Sequence, residues 1–220
     1  MMYEPYGRGT PAAHPARAAR PARTPRGRIY VKRAALVMLA WVALLWVLEA
    51  VDQAGDNKLD TYAITPREFG ELRDVIPASF MHFGWDHLSA NTGPLLVLGF
   101  IAAVRGIGRF AGVVALIMLV SGLGVWLIAP AGSFTAGASG VVFGLFGYVV
   151  VRGFVDRRIS DVLVGIVVAL VYGSMLWGVL PTDDVVAQSI SWQGHLFGLL
   201  GGVLAAFYFS DRRRMALRAG

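Results

Sequence analysis

Cysteine is absent from the 220 residues, and charged side chains are scarce. The first absence excludes disulfides, cysteine nucleophiles and thiolate metal sites. Only 15% of the residues are charged, against 56% that are hydrophobic, and this is too apolar for an ordinary soluble domain. Since the apolar residues form blocks of nearly membrane-spanning length, we expect one compact helical membrane domain.

Basic residues give the chain a net charge of +6, but their distribution argues against nucleic acid as a partner. Eight of the 20 Lys and Arg lie in residues 1–33, without an aromatic stacking platform. Residues 1–30 have no periodic apolar face, so we expect a disordered basic cytoplasmic tail that faces anionic lipid. The membrane domain is predicted over residues 31–211, and residues 212–220 are predicted to be a second short basic tail.

Six apolar blocks are predicted to be membrane-spanning helices, because a span in lipid must satisfy its own backbone hydrogen bonds. They cover residues 34–51, 87–104, 110–129, 139–151, 160–180 and 194–210. With six spans, 17 of the 20 Lys and Arg fall on one side, which the positive-inside rule makes cytoplasmic. The pattern predicts a multi-pass protein of the cell (inner) membrane with both termini in the cytoplasm. Residues 52–86 are predicted to fold against the opposite membrane surface.

Two polar residues within the apolar blocks are the candidate catalytic pair. Ser139 opens the fourth block and His195 lies in the sixth, where an unpartnered hydroxyl or imidazole is costly. Each is the best partner for the other, and a serine hydrogen-bonded to a histidine is the minimum equipment for nucleophilic catalysis. Helical rise places both, together with Asn91, in one layer about 20–24 Å above the cytoplasmic charges. The sequence thus predicts a peptide-bond hydrolase that works inside the membrane.

The fourth block is the shortest, so we expect its helix to begin inside the membrane after a loop, residues 130–138, that dips into the protein. This loop would admit water, and N–H groups at the helix N-terminus would stabilise an oxyanion. Phe143, one turn after Ser139, is placed to pack on the imidazole of His195. Glycines at helical spacing let the fourth and sixth helices approach closely. They are Gly140, Gly144 and Gly147 on the fourth, and Gly198 and Gly202 on the sixth.

Three motifs occur in order on separate blocks. They are an H-x4-H-x3-N pattern from His82 to Asn91, Gly137-x-Ser139-Gly140, and His195 followed by Gly198. Through these motifs the chain resembles the rhomboid intramembrane serine proteases of the bacterial six-span type, over roughly residues 34–210. The resemblance implies an all-α membrane protein, a six-transmembrane-helix bundle whose short fourth helix starts inside the membrane.

The resemblance also implies roles for particular residues. Ser139 would be the nucleophile and His195 the general base and then acid, while Asn91, His87 and the Ser139 N–H would form the oxyanion hole. The supporting residues would be His82, Phe143, Gly137, Gly140 and Gly198. The expected substrates are single-span membrane proteins that enter laterally near the second and fifth spans, and neither a cofactor nor a metal is expected. The segment around Arg67 lacks the tryptophan of the family's pattern, which leaves Arg67 without an assigned role.

Two other functions stay open. A catalytically silent rhomboid-like protein would bind transmembrane helices, although such proteins usually lose the serine or the histidine that this chain keeps. A small transporter would use the start of the fourth span as a midplane binding site. The chain has no obvious inverted repeats, however, and its intramembrane carboxylates are confined to Glu49 near an interface.

Overall fold

The computed structural model describes residues 26–182 and 190–211, with side chains from Tyr30 onward. Within these residues the fold is all-helical, apart from an isolated antiparallel bridge between Ile64 and Thr135. The α-helices of this part of the chain are α1 (Arg26–Ala54), α2 (Trp85–Ala103), α3 (Ile107–Ile128), α4 (Ser139–Asp156), α5 (Ile159–Tyr172) and α6 (Trp192–Tyr208). Short 3-10 helices at Lys58–Tyr62, Phe69–Val75 and Pro77–Phe80 connect α1 to α2, and a fourth, Gly173–Val179, continues α5.

The six predicted apolar blocks coincide with the six α-helices, α5 being counted with its 3-10 continuation. The largest difference is at α1, which begins at Arg26 and therefore inside the predicted tail of residues 1–30. Arg and Lys are good helix formers, so the helix extends N-terminally beyond the apolar block that nucleates it. The other residues of the two predicted tails, 1–25 and 212–220, lie outside the described residues.

Within residues 26–182 and 190–211, four segments are long and apolar enough to cross a membrane. They are Tyr30–Ala54, Ile107–Ile128, Ser139–Asp156 and Ile159–Val179. The protein is therefore a multi-pass membrane protein.

The third of these segments is α4, which is longer than predicted. It continues past Val151 to Asp156 and has 18 residues, so the expectation of a fourth helix too short to cross alone is not confirmed. The reason is that Arg152 is buried and paired: it lies 3.6 Å from Asp161 and donates to the carbonyl of Ile101 at 3.4 Å. A charge that is neutralised in this way does not end a helix.

α4 is the central helix, and it packs against α2, α3, α5 and α6. Its contact with α6 is backbone to backbone, as the glycine spacing predicted. A Cβ at Gly198 would lie 2.9 Å from the carbonyl carbon of Gly140, and a Cβ at Gly202 would lie 2.6 Å from that of Gly144. From the first contact to the second, the residue number rises by four in both helices. The helices α4 and α6 are therefore parallel, with their first turns side by side.

Ion pairs join the helices at the end of the bundle far from the start of α4. Asp161, in the first turn of α5, pairs with Arg105 and Arg152. Asp211, which follows α6, pairs with Arg109. The pairs of Asp161 hold the first turn of α5 against α4 and the residues after α2, and the pair of Asp211 joins the end of α6 to α3. All of them lie on the side predicted to be cytoplasmic.

The connection from α1 to α2 is folded, as predicted, and part of it covers the C-terminus of α3. Arg67 donates to the carbonyls of Leu127 at 3.2 Å and Ala129 at 2.8 Å, and the indole of Trp126 donates to the carbonyl of Glu68 at 3.1 Å. The last carbonyls of a helix have no partner within it, so Arg67 satisfies groups that would otherwise be unpaired. Arg67, which had no role in the sequence analysis, is thus a helix-capping residue.

Candidate functional site

Ser139 is the first residue of α4, and two hydrogen bonds hold the loop before it. The Gly137 N–H donates to the Ala78 carbonyl at 2.8 Å, and the Ala138 N–H donates to Nε2 of His82 at 3.2 Å. Gly137 has φ +129°, a conformation that glycine adopts readily and other residues rarely do. Ser139 therefore follows a turn in which the two preceding backbone N–H groups are already hydrogen-bonded.

His82 is buried beneath this turn, with 2% of its surface exposed. A backbone N–H can only donate, so the Nε2 that accepts from Ala138 is unprotonated and the ring proton is on Nδ1. Burial, and secondly the neighbouring imidazole of His87, lower the pKa of His82 to about 4. The ring is therefore neutral near pH 7, as its bond to Ala138 requires.

His87 lies directly against the same turn, because a Cβ at Gly137 would be 2.6 Å from the Cε1 atom of His87. The rings of His82 and His87 meet edge to face, with centroids 5.2 Å apart. In residues 26–182 and 190–211, no group of three or more His, Cys, Asp or Glu side chains is arranged to hold a metal ion. Asn91 is buried one turn further along α2, and its amide nitrogen donates to the His87 carbonyl at 2.9 Å. The structure thus brings both histidines to the turn before Ser139, and the side-chain hydrogen bond of Asn91 stays within its own helix.

His195 lies in the first turn of α6 and is held on two sides. Its ring stacks on that of Phe143, with centroids 4.0 Å apart and planes at 8°, so the expected contact between these residues is present. Its Nδ1 lies 2.9 Å from the carbonyl oxygen of Gly178. A carbonyl can only accept, so Nδ1 carries the proton, and Nε2 of the neutral ring has a free lone pair.

Ser139 and His195 begin two parallel helices that touch through glycine. Phe143 follows Ser139 by one helical turn, so the imidazole stacked on Phe143 lies over the face of α4 that begins with the serine. Beside them, a Cβ on Gly140 would lie 3.2 Å from the carbonyl oxygen of Gly194. No hydrogen bond joins the Ser139 hydroxyl to the His195 ring in the described part of the structure, where the ring bonds to a carbonyl instead. The catalytic dyad therefore stays a prediction.

A small cavity of about 20 Å³ adjoins Ser139, and this is close to the volume that one water molecule needs. Its lining includes four further hydroxyl residues, Ser79, Ser121, Thr135 and Ser191. Ser121 donates to the carbonyl of Gly194 at 2.8 Å. The sequence analysis did not single out these residues. Ser121 was detectable as a hydroxyl within an apolar helix, whereas the other three lie in connecting segments that carry no periodic signal.

Comparison with known proteins identifies relatives of this chain. The sequence model of the rhomboid domain matches residues 70–212. An uncharacterized protein of Mycobacterium tuberculosis is 42% identical, over 83% of this chain and 79% of the relative. An uncharacterized protein of Mycobacterium leprae is 37% identical, over 83% and 75% respectively. Rhomboid protease GlpG of Pectobacterium atrosepticum is 28% identical, over 80% of this chain and 63% of its own length. The family match extends over most of the chain, which belongs to the rhomboid family.

Proposed function

We propose that the protein is an intramembrane serine endopeptidase that cleaves single-span membrane proteins within or near their transmembrane segment. Ser139 is the nucleophile, and His195 is the general base and then the general acid. The observation that carries the proposal is the setting of His195, a buried imidazole that stacks on Phe143 and bonds through Nδ1 to the Gly178 carbonyl. An imidazole held in this way has an unprotonated Nε2 with which to activate a hydroxyl.

In the proposed reaction, Oγ of Ser139 attacks the scissile carbonyl carbon while its proton passes to Nε2 of His195. The C–N bond then breaks as the imidazolium returns the proton to the leaving amine, and an acyl-enzyme ester remains. The neutral imidazole next takes a proton from water, whose oxygen attacks the ester carbonyl carbon. The imidazolium then returns this proton to Oγ of Ser139 as the acyl–Oγ bond breaks, which releases the new carboxyl terminus and restores the free serine. The cavity beside Ser139 has room for about one water molecule, which supports this second step.

The negative oxygen of the tetrahedral intermediate is assigned to the backbone N–H of Ser139 and to the side chains of Asn91 and His87. The first N–H groups of a helix have no partner within it and lie at the positive end of its dipole, which favours an anion there. The position of His87 against Gly137, two residues before the serine, supports its role. Asn91 donates one N–H to the His87 carbonyl and would use its second N–H for the oxyanion.

The supporting residues are proposed to position the catalytic pair without contacting the substrate. His82 holds the turn before the serine, and Gly137 leaves room for the ring of His87. Gly140 and Gly198 let α4 and α6 meet backbone to backbone, which brings the first turns of the two helices together.

We further propose six spans, with α2 and α6 added to the four segments that qualify by length and hydropathy. α2 has 19 residues and α6 has 17, lengths of about 25–29 Å. Their hydropathy is reduced by the polar residues that the site needs, among them Asn91 and His195. The Lys and Arg distribution then supports cytoplasmic termini in the cell membrane, with α4 beginning below the opposite surface.

Substrate helices are proposed to reach the site laterally between α2 and α5. Of the four candidate spans, the one formed by α5 and its 3-10 continuation is the least covered by protein. In its most apolar 18-residue stretch 11% of the residues are buried, against 67% in that of α4. A helix with so little packing is the one that moves aside at the lowest cost in free energy.

The test is cleavage of a single-span reporter by the purified full-length protein in lipid vesicles. We expect Ser139→Ala and His195→Ala each to reduce cleavage by at least about a thousandfold. The control is Ser160→Ala, an exposed serine that should keep wild-type activity. A serine-directed phosphonate should label Ser139 in the wild type and fail to label the Ser139→Ala variant.

Two outcomes would contradict the proposal. Full activity of the Ser139→Ala variant would show that Ser139 is not the nucleophile. A wild-type protein that binds the reporter helix in vesicles without cutting it would favour the catalytically silent alternative.

A further inference from the structure

The contact between His195 and Gly178 joins the catalytic histidine to the end of α5. Among the described residues, the Gly178 carbonyl is the one hydrogen-bond partner of the His195 ring, at 2.9 Å from Nδ1. Gly178 lies in the 3-10 helix Gly173–Val179, which continues α5 beyond Tyr172. The group that directs the ring therefore comes from the helix that has the least packing.

The chemical effect of this contact is the choice of tautomer. A neutral imidazole carries one proton, and a carbonyl at Nδ1 is satisfied only if that proton is on Nδ1. Nε2 then has the lone pair that a general base needs. In the other tautomer Nε2 would direct a proton at the serine, and the ring would be unable to accept from it. In serine proteases with a carboxylate at this position, the wrong tautomer costs about ten-thousandfold in kcat.

α5 is anchored at one end only. Its buried residues are Asp161, Gly165 and Val168, and the 3-10 continuation contains none. Asp161 is ion-paired, and a Cβ at Gly165 would lie 3.1 Å from the carbonyl oxygen of Val150 in α4. α5 is thus fixed to its neighbours, whereas the 3-10 continuation that carries Gly178 has no buried residue to hold it.

From these observations we infer that the main-chain carbonyl of Gly178 is a positioning group for His195, and that it takes the place that a carboxylate has in a catalytic triad. The inference rests on the proposed function. It follows that the imidazole is a competent base only while the Gly173–Val179 segment is docked. When the segment moves away, the ring loses the contact that selects its tautomer, and activity falls without any change in Ser139 or His195.

A matched pair of substitutions within this 3-10 helix tests the inference. A Cβ at Gly178 would lie 3.1 Å from both Nδ1 of His195 and Cζ of Phe143, whereas a Cβ at Gly173 would meet nothing within 4 Å. Gly178→Ala therefore inserts a methyl group beside the Nδ1–carbonyl contact, and Gly173→Ala makes the same change in open space. Relative to Gly173→Ala, we expect Gly178→Ala to lower kcat for the reporter by about three- to tenfold, with KM unchanged.

A second measurement reads the tautomer directly and requires no activity. Nitrogen-15 NMR of histidine-labelled wild-type protein distinguishes protonated from unprotonated ring nitrogens, and the His195→Gln variant assigns the signal. We expect the Nδ1–H form for His195 in the wild type and in Gly173→Ala. In Gly178→Ala we expect a mixture of both tautomers.

The results separate this inference from the proposed function. If the wild type cleaves in a Ser139-dependent way but His195 carries its proton on Nε2, the positioning role is wrong and the protease proposal stands. Equal kcat values for Gly178→Ala and Gly173→Ala would also overturn the positioning role. A wild type that does not cleave at all contradicts the proposed function, and with it the inference.

Discussion

Replacement of Gly198 by alanine tests whether backbone contact between α4 and α6 positions the catalytic pair. The new methyl carbon would lie 2.9 Å from the carbonyl carbon of Gly140 and still closer to its oxygen. Carbon atoms pack at about 3.5–4.0 Å, so the helices must separate by roughly 1 Å at this level. Gly198 is one turn from His195 and Gly140 adjoins Ser139, so nearly all of this separation reaches the two side chains.

The expected loss of activity is much larger than the loss of stability. Overpacking typically costs about 1–3 kcal/mol, and the gain in helix propensity from glycine to alanine offsets about 0.5–1 kcal/mol of it. A displacement of 1 Å at reacting groups, by contrast, can lower the rate about a hundredfold. We therefore expect a folded Gly198→Ala protein whose kcat is reduced by about two orders of magnitude.

The assay compares kcat in vesicles with thermal unfolding in detergent for three variants. Gly202→Ala inserts a methyl group 2.6 Å from the carbonyl carbon of Gly144, a similar collision one turn further from the site. Gly93→Ala, in α2, meets nothing within 4 Å and serves as the neutral control. Gly198→Ala should lose far more activity than Gly202→Ala for a similar loss of stability. Wild-type activity in Gly198→Ala would refute the reasoning, as would losses in the two variants that simply follow their unfolding temperatures.

Two further predictions concern the turn before Ser139. His82 has a pKa near 6.5 when exposed and about 4 when folded, so its contribution to the free energy of unfolding is complete above pH 6.5 and is lost as the pH falls to about 4. Between about pH 7 and about pH 4, the free energy of unfolding of the wild type should therefore fall by on the order of 3 kcal/mol more than that of His82→Gln. The measurement is unfolding in detergent, and parallel curves of stability against pH for the two proteins would contradict the prediction. Gly137→Ala should lower reporter cleavage at least about tenfold, because its methyl group meets the His87 ring at 2.6 Å, whereas Gly132→Ala, also at positive φ but in open space, should not. Equal activity of these two variants would show that the His87 contact has no effect on the site.

Much of the helical framework could be predicted from hydrophobicity alone. The errors in the predicted helix ends occur at charged residues. The apolar blocks located every α-helix of the described residues. The predicted ends failed at Arg26, where α1 starts, and beyond Arg152, where α4 continues to Asp156. In the second case the partner of Arg152 is Asp161 on the next helix. A contact of this kind depends on how two helices pack, which hydropathy along one segment does not contain.

The candidate site divides in the same way, between side chains that a sequence reveals and partners that it does not. Ser139, His195 and Phe143 could be found because a polar residue in an apolar block is conspicuous and helical spacing relates the others to it. The acceptor for His195 is a carbonyl of Gly178, and the donor to His82 is the N–H of Ala138. Every residue has a carbonyl and nearly every residue has an N–H, so nothing in the residue type marks these two positions.

Backbone partners are also what an apolar chain would be expected to use. A polar side chain buried among hydrocarbon needs a hydrogen-bond partner, and each additional polar side chain introduced to satisfy it would need a partner of its own. A carbonyl or N–H released where a helix begins, ends or tightens is already present and already unpaired. Nε2 of His82 finds its partner at the start of α4 and Nδ1 of His195 at the end of the α5 continuation, both of them sites of this kind. Such a site is therefore sensitive to the positions of helix ends, and substitutions that move those ends should impair it as strongly as substitutions of the supporting side chains.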